Sequence, residues 1–174
     1  MAVATVTGAI VFSDIAGFTR FTLERGDTTA LALLERFETI VRSTLPDDAR
    51  VVKLLGDGIL TFVPDATAAL LAAVRQQGEF ARIANADAPL WVRTGLHHGS
   101  PLVRGDDLIG HDVNLASRVA DQALPGEVLA TEDIVVAAGR PPGLAMDEVG
   151  PVFVKGVDDA VRLFRVAEVP IKTV

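Results

Sequence analysis

Val51-Val52-Lys53-Leu54-Leu55-Gly56-Asp57-Gly58-Ile59-Leu60-Thr61-Phe62-Val63 holds two apolar runs, Val51–Leu55 and Ile59–Val63, joined through Gly56-Asp57-Gly58. Runs this short suit strands, and an Asp-Gly pair between them is a strong hairpin signal. Upstream, Leu33, Leu34, Phe37 and Val41 recur at helical spacing from Ala30 onward, and that helix stops before Pro46. Downstream, Asp65 is placed to cap a second helix reaching about Ile83, with Ala66, Leu70, Ala73 and Phe80 near one face.

Further out, Val3–Phe12 is an apolar, β-branched run ending at Ser13-Asp14, which suits a strand buried on both faces. Leu90–His97 reads as another strand, followed by a turn over Gly99–Gly110 and a third helix over His111–Ala123. Glu127–Ala130 reads as a strand, Thr131–Ala138 as a short helix, and Gly143–Val166 as two or three further strands. The order β-α-β-β-α-β-α-β predicts an α+β sandwich of the ferredoxin-like kind, with helices on one side of a mostly antiparallel sheet.

The 174 residues match one ordinary domain, so a single unit over 1–174 is expected. Sixteen basic against twenty-three acidic side chains give a net charge of −7, which argues against nucleic acid or an anionic membrane as a partner. A polyanionic ligand then needs a locally basic pocket. With no cysteine, disulfides, thiol nucleophiles and thiolate metal sites are excluded. Met1–Ile10 lacks a basic segment and its apolar run is broken by Asp14, so it does not read as a signal peptide; no run reaches the ~20 residues of a membrane helix. A cytoplasmic protein is expected.

Asp14 and Asp57 each end an apolar strand, where a charge must reach water or be compensated. If those strands are neighbours, both carboxylates meet at one sheet edge, a common cradle for Mg²⁺ shared with substrate phosphates. Spacing alone favours Asp57 as a hairpin residue and Asp14 as a loop residue or cap, because Asp-Gly turns are common. The segment from Ile15 through Phe18 and Thr19 leads into a helix, so its backbone N–H groups are candidate phosphate donors. No Gly-x-x-x-x-Gly-Lys-Ser/Thr pattern occurs, which leaves a P-loop enzyme unsupported.

Asn114 and Arg118 stand four apart on the third helix, on one face, either as a solvated polar face or as an amide and a guanidinium aimed at a ligand. Lys53, inside an apolar run, needs water or a partner, and Asp107 is a candidate; together they match the acceptor and donor edge of a purine. Arg93 and Lys155 are further candidate phosphate contacts. His97 and His98 are adjacent in a strand and point to opposite faces, so they make no metal pair.

Four blocks, in this order, resemble the catalytic domain of class III adenylyl and guanylyl cyclases over about Val6–Val166. They are Phe12-Ser13-Asp14-Ile15-Ala16-Gly17-Phe18-Thr19, Lys53-Leu54-Leu55-Gly56-Asp57, Arg93-Thr94-Gly95-Leu96-His97-His98-Gly99 and Asp107-Leu108-Ile109-Gly110-His111-Asp112-Val113-Asn114-Leu115-Ala116-Ser117-Arg118. The resemblance implies a homodimer with two active sites at its interface, turning ATP into cyclic AMP and pyrophosphate. It implies two divalent metal ions per site, Mg²⁺ or Mn²⁺, held by Asp14, Asp57 and the Ile15 carbonyl. It further implies triphosphate contacts from the Phe18 and Thr19 backbone, Arg93 and Lys155, with Lys53 and Asp107 of the partner on the adenine. Asn114 would orient the ribose and Arg118 stabilise the transition state. In the implied reaction one ion activates the ribose 3′-hydroxyl for in-line attack on the α-phosphate, and the other neutralises departing pyrophosphate.

Family guanylyl cyclases typically carry Glu and Cys where Lys53 and Asp107 stand, which favours ATP. Ser117 occupies a place where alanine is frequent, and Val157 one where a second lysine is common; neither removes a catalytic group. A guanylyl cyclase and a non-catalytic nucleotide-binding dimerisation module remain alternatives at this point. A palm-type diguanylate cyclase is disfavoured, because no Gly-Gly-Asp-Glu-Phe run is present.

Overall fold

Alternation along the strand β1 (Gly8–Ile15) sets the layers of the molecule. Ala9, Val11 and Ile15 pack toward one set of helices, whereas Ile10 and Phe12 pack toward another. A strand with apolar residues on both faces belongs at the centre of a sheet. The computed structural model, which describes residues 3–170, places it there. Met1 and Ala2 at the start of the N-terminal segment, and residues 171–174 at the end of the expected single unit, lie outside the described residues.

The helices α1 (Phe18–Arg25) and α2 (Asp27–Thr44) follow β1 and are separated at Gly26, whose φ of 84° no other residue type adopts easily. Then come the hairpin β2 (Arg50–Leu55) and β3 (Gly58–Val63), the helix α3 (Ala66–Ile83) and the strand β4 (Val92–Gly99). Asp65 caps α3 by accepting the Ala68 N–H at 2.7 Å, as its position suggested. A small hairpin, β5 (Leu102–Arg104) and β6 (Asp107–Ile109), precedes α4 (His111–Gln122). The strand β7 (Val128–Thr131), the helix α5 (Glu132–Ala138) and the strands β8 (Leu144–Val152) and β9 (Val161–Glu168) complete the order.

Seven strands form one sheet in the order β2-β3-β1-β4-β7-β9-β8, with only β4 and β7 parallel. The first four are the ferredoxin-like arrangement the element order predicts, and the mostly antiparallel sheet is as expected. One expectation is corrected: the helices do not share a side. Helices α1, α2, α3 and α5 cover one face, through the clusters around Leu70, Ile134 and Phe37. Helix α4 and the β5–β6 hairpin cover the other, through Leu108, Val113, Ala116 and Val119. The reason lies at Gly95 in β4, where a Cβ would stand 2.6 Å from the Ala120 Cα. With no side chain there, α4 lies almost directly on the strand backbone.

The α4 N-terminus is pinned as well. Asp112 Oδ2 accepts the Ser100 N–H at 2.7 Å, and its Oδ1 lies 3.4 Å from Nε2 of the buried His97. The other His97 nitrogen bonds the Thr131 hydroxyl at 2.9 Å, tying β4, α4 and β7 together. His97 is thus absorbed in the packing.

Candidate active site

The register of β1 brings the two predicted carboxylates together. Asp14 is the direct partner of Gly58 across β1 and β3, and Asp57 is the second residue of the two-residue Gly56-Asp57 turn that precedes Gly58. The Ile15 N–H donates to the Asp57 carbonyl at 3.0 Å, fixing the turn against the end of β1. Gly56 takes a φ of 68°, which this tight connection requires. Asp14, Asp57, Leu55, Ser117, Ala120 and Asp121 line a common cavity of about 140 Å³.

Arg93 is the direct cross-strand partner of Asp14 between β1 and β4. Its Nε and Nη2 donate to Asp14 Oδ1 and Oδ2 at 2.8 and 2.9 Å, a two-pronged pair. Beneath them, on the opposite sheet face, the Ser13 and Thr94 hydroxyls share a bond of 3.2 Å, and Gln77 of α3 donates to Thr94 and to the Val92 carbonyl. These bonds hold the two strands in the register on which the Asp14–Arg93 pair depends. Burial pushes the Asp14 carboxyl above its ordinary range; Arg93 opposes this, and the Asp57 and Asp121 charges add to the rise. Arg93 is in turn held more firmly protonated by its bond to Asp14.

At the other end of the β1–α1 turn, Gly17 at φ 72° begins α1 with no side chain capping it. The amides of Phe18 and Thr19 therefore head the helix without an intrahelical acceptor. Lys53 of β2 and Asp107 of β6 also meet, Nζ to Oδ2 at 2.8 Å, and this bond holds the Asp107 carboxyl below its ordinary range. Arg50 reinforces the contact by donating to the Asp106 carbonyl at 2.9 Å. Asn114 and Arg118 stand on one face of α4 as the spacing predicts, Asn114 exposed and Arg118 bonded to Asp121 at 3.1 Å. Neither lines the cavity around Asp14 and Asp57. Lys155 is exposed in the turn between β8 and β9, and it too lies outside that cavity.

One chain thus gathers Asp14, Asp57 and Arg93 at one place, Lys53 with Asp107 at a second, and Asn114 with Arg118 along α4. Asp121 and Ser117 are cavity residues that the motif spacing did not single out. Asp121 follows Arg118 by three positions, so helical periodicity alone puts it on the same face.

The family model for the adenylate and guanylate cyclase catalytic domain matches residues 3–167. The chain belongs to this family. The cyclase domain is 32% identical over 168 residues to an uncharacterised protein of Mycobacterium tuberculosis, covering 96% of this chain and 43% of that one. It is 31% identical over 160 residues to a pH-sensitive adenylate cyclase of the same organism, covering 90% and 40%. The chain therefore spans less than half the length of these curated relatives. Among solved structures, the adenylyl cyclase CyaB from P. aeruginosa superposes with a TM-score of 0.85 at 21% identity, covering 100% of both chains. The guanylyl cyclase Cya2 superposes at 0.77 with 22% identity, covering 99% and 97%. Among the described residues of the cyclase domain, no helix is long and apolar enough to cross a membrane.

Proposed function

We propose that this cyclase domain is an adenylyl cyclase that converts ATP to cyclic AMP and pyrophosphate at sites shared between two copies of the chain. The observation that carries the reading is the meeting of Asp14 and Asp57 at the β1–β3 edge with Arg93 alongside, in a chain whose family is that of the nucleotide cyclases.

The donor set fits hard divalent cations. Two carboxylates and the Ile15 carbonyl offer only oxygen, and the domain has no cysteine. Asp14, Asp57 and the Ile15 carbonyl would hold Mg²⁺ or Mn²⁺. Bound there, two such ions supply the charge that favours the ionised ribose 3′-hydroxyl and the pyrophosphate leaving group.

The chain's own groups do the rest. The Phe18 and Thr19 amides at the start of α1 receive phosphate oxygens, aided by the helix dipole, and Arg93 and Lys155 add cationic contacts. The paired Lys53 and Asp107 present a donor and an acceptor to the base edge and favour adenine. Asn114 orients the ribose, and Arg118 counters the charge that grows on the transferring phosphoryl group. Asn114, Arg118, Lys53 and Asp107 are not among the residues lining the carboxylate cavity of their own chain, which supports a site completed by a second copy.

Incubating the purified chain with Mn²⁺ and either ATP or GTP, and quantifying cyclic nucleotide and pyrophosphate by chromatography, tests this reading. Cyclic AMP from ATP is expected. Cyclic GMP in its place would overturn the base assignment, and no product from a folded dimer would sink the catalytic reading.

A further inference from the structure

Asp14 and Asp57 share a cavity but differ in occupation. Both oxygens of Asp14 accept from Arg93, whereas among the described residues the Asp57 carboxylate has no hydrogen-bond or ion-pair partner. The Asp14–Arg93 pair is half-buried, directly cross-strand, and braced from behind by Ser13, Thr94 and Gln77, so it is not a loose surface contact. A divalent cation on Asp14 competes with Arg93 for the same two oxygens, and two cations on one carboxylate repel each other.

We propose that Arg93 acts as a gate on Asp14: guanidinium and metal ion are alternative occupants of one carboxylate, and the ion's arrival releases Arg93 toward the phosphates. The inference rests on the proposed function and deepens it. Asp57 receives a cation without breaking any pair, and Asp14 joins only as Arg93 leaves. Release frees a cation with five N–H donors opposite Asp14, which precedes the uncapped start of α1 at Gly17 by three residues, and a phosphate is its natural acceptor. Metal and polyphosphate thereby become coupled ligands, each favouring the arrangement the other needs. Arg93 is a positioning residue in this step, and its contact with phosphate is a separate role.

The test is Mn²⁺ binding without nucleotide, followed by the electron paramagnetic resonance of free Mn²⁺ at about pH 8, well above the ordinary carboxylate range. Wild type, Arg93→Gln, Arg93→Lys and Asp14→Asn are compared, with circular dichroism confirming the fold of each. Arg93→Gln keeps part of the aliphatic stem and a polar end without the charge, and is expected to bind Mn²⁺ about tenfold more tightly, the scale of losing a partly exposed two-pronged ion pair. Arg93→Lys, which cannot engage both oxygens in that geometry, falls between. A purely structural role for Arg93 would weaken Mn²⁺ binding on substitution, not strengthen it. Equal or weaker binding in Arg93→Gln, with binding still lost in Asp14→Asn, overturns the gate and leaves the metal assignment standing. Mn²⁺ binding unaffected by Asp14→Asn overturns both.

Discussion

Asp57 contributes to the fold through its backbone and to the proposed chemistry through its side chain. Its carbonyl accepts from Ile15, and that bond survives removal of the carboxylate. Asp57→Ala is therefore expected to change unfolding free energy by less than about 1 kcal/mol in urea titrations. The same substitution should lower turnover by roughly 10²–10³-fold, the scale of losing one preorganised electrostatic stabiliser. Unchanged turnover would remove Asp57 from the metal assignment. His97 gives a pH effect of opposite kind, on stability and not on chemistry. Burial lowers its pKa below the ordinary 6.5, with the Asp112 and Asp133 charges only partly offsetting this. The unfolded chain then binds a proton first as pH falls, so stability is full above about pH 6.5 and declines below it, through the folded value. Melting temperatures measured between about pH 5 and 7 should slope downward in wild type and less steeply in His97→Gln. At this scale the sequence was partly legible: the strand-terminal positions of Asp14 and Asp57 announced themselves. Their bonding did not. Arg93 lies 79 positions from Asp14, and only the register of β1 on β4 makes them partners.

Helix α4 is the element on which the proposed site depends most, since it carries Asn114 and Arg118 and walls the carboxylate cavity with Ser117, Ala120 and Asp121. Its closeness to β4 rests on Gly95. Gly95→Ala inserts a methyl against the backbone of Val119 and Ala120, which no rotamer change can relieve. The expected cost is about 1–3 kcal/mol in chemical denaturation, with a larger fractional loss of activity as the helix is lifted from its place. A Gly95→Ala protein as stable and active as wild type would show that α4 has slack against the sheet. Long, periodic elements were plain in the sequence: Leu33, Phe37 and Val41 form the buried stripe of α2, and Phe37 meets Phe80 of α3 with ring centroids 5.6 Å apart. The three-residue strands β5 and β6 were read as a turn, because so short a run shows no alternation. Nor does helical periodicity say which sheet face a helix covers. That choice for α4 was made by one glycine in another element.

At the scale of the whole molecule, the separation of the candidate groups within one chain is the basis of the shared-site proposal. Asp57→Ala and Arg118→Ala chains should each be inactive alone. Mixed, they should form heterodimers with one intact site and one doubly damaged site, and recover up to about half of the wild-type activity per heterodimer if each site acts independently. A mixture that stays inactive while mass spectrometry shows heterodimers would mean that each chain builds its own site. The register between β1 and β4 also bears on how the molecule comes into being. Every residue from α1 to α3 lies between Asp14 and Arg93 in the chain, so their pairing closes a long loop and waits on most of the sheet. During synthesis Asp14 leaves the ribosome 79 residues ahead of its partner Arg93. A chain grown past Asp14 but short of Arg93 therefore displays an unpaired acidic strand end without the completed candidate site, and the proposed activity becomes a late reporter that the sheet has closed.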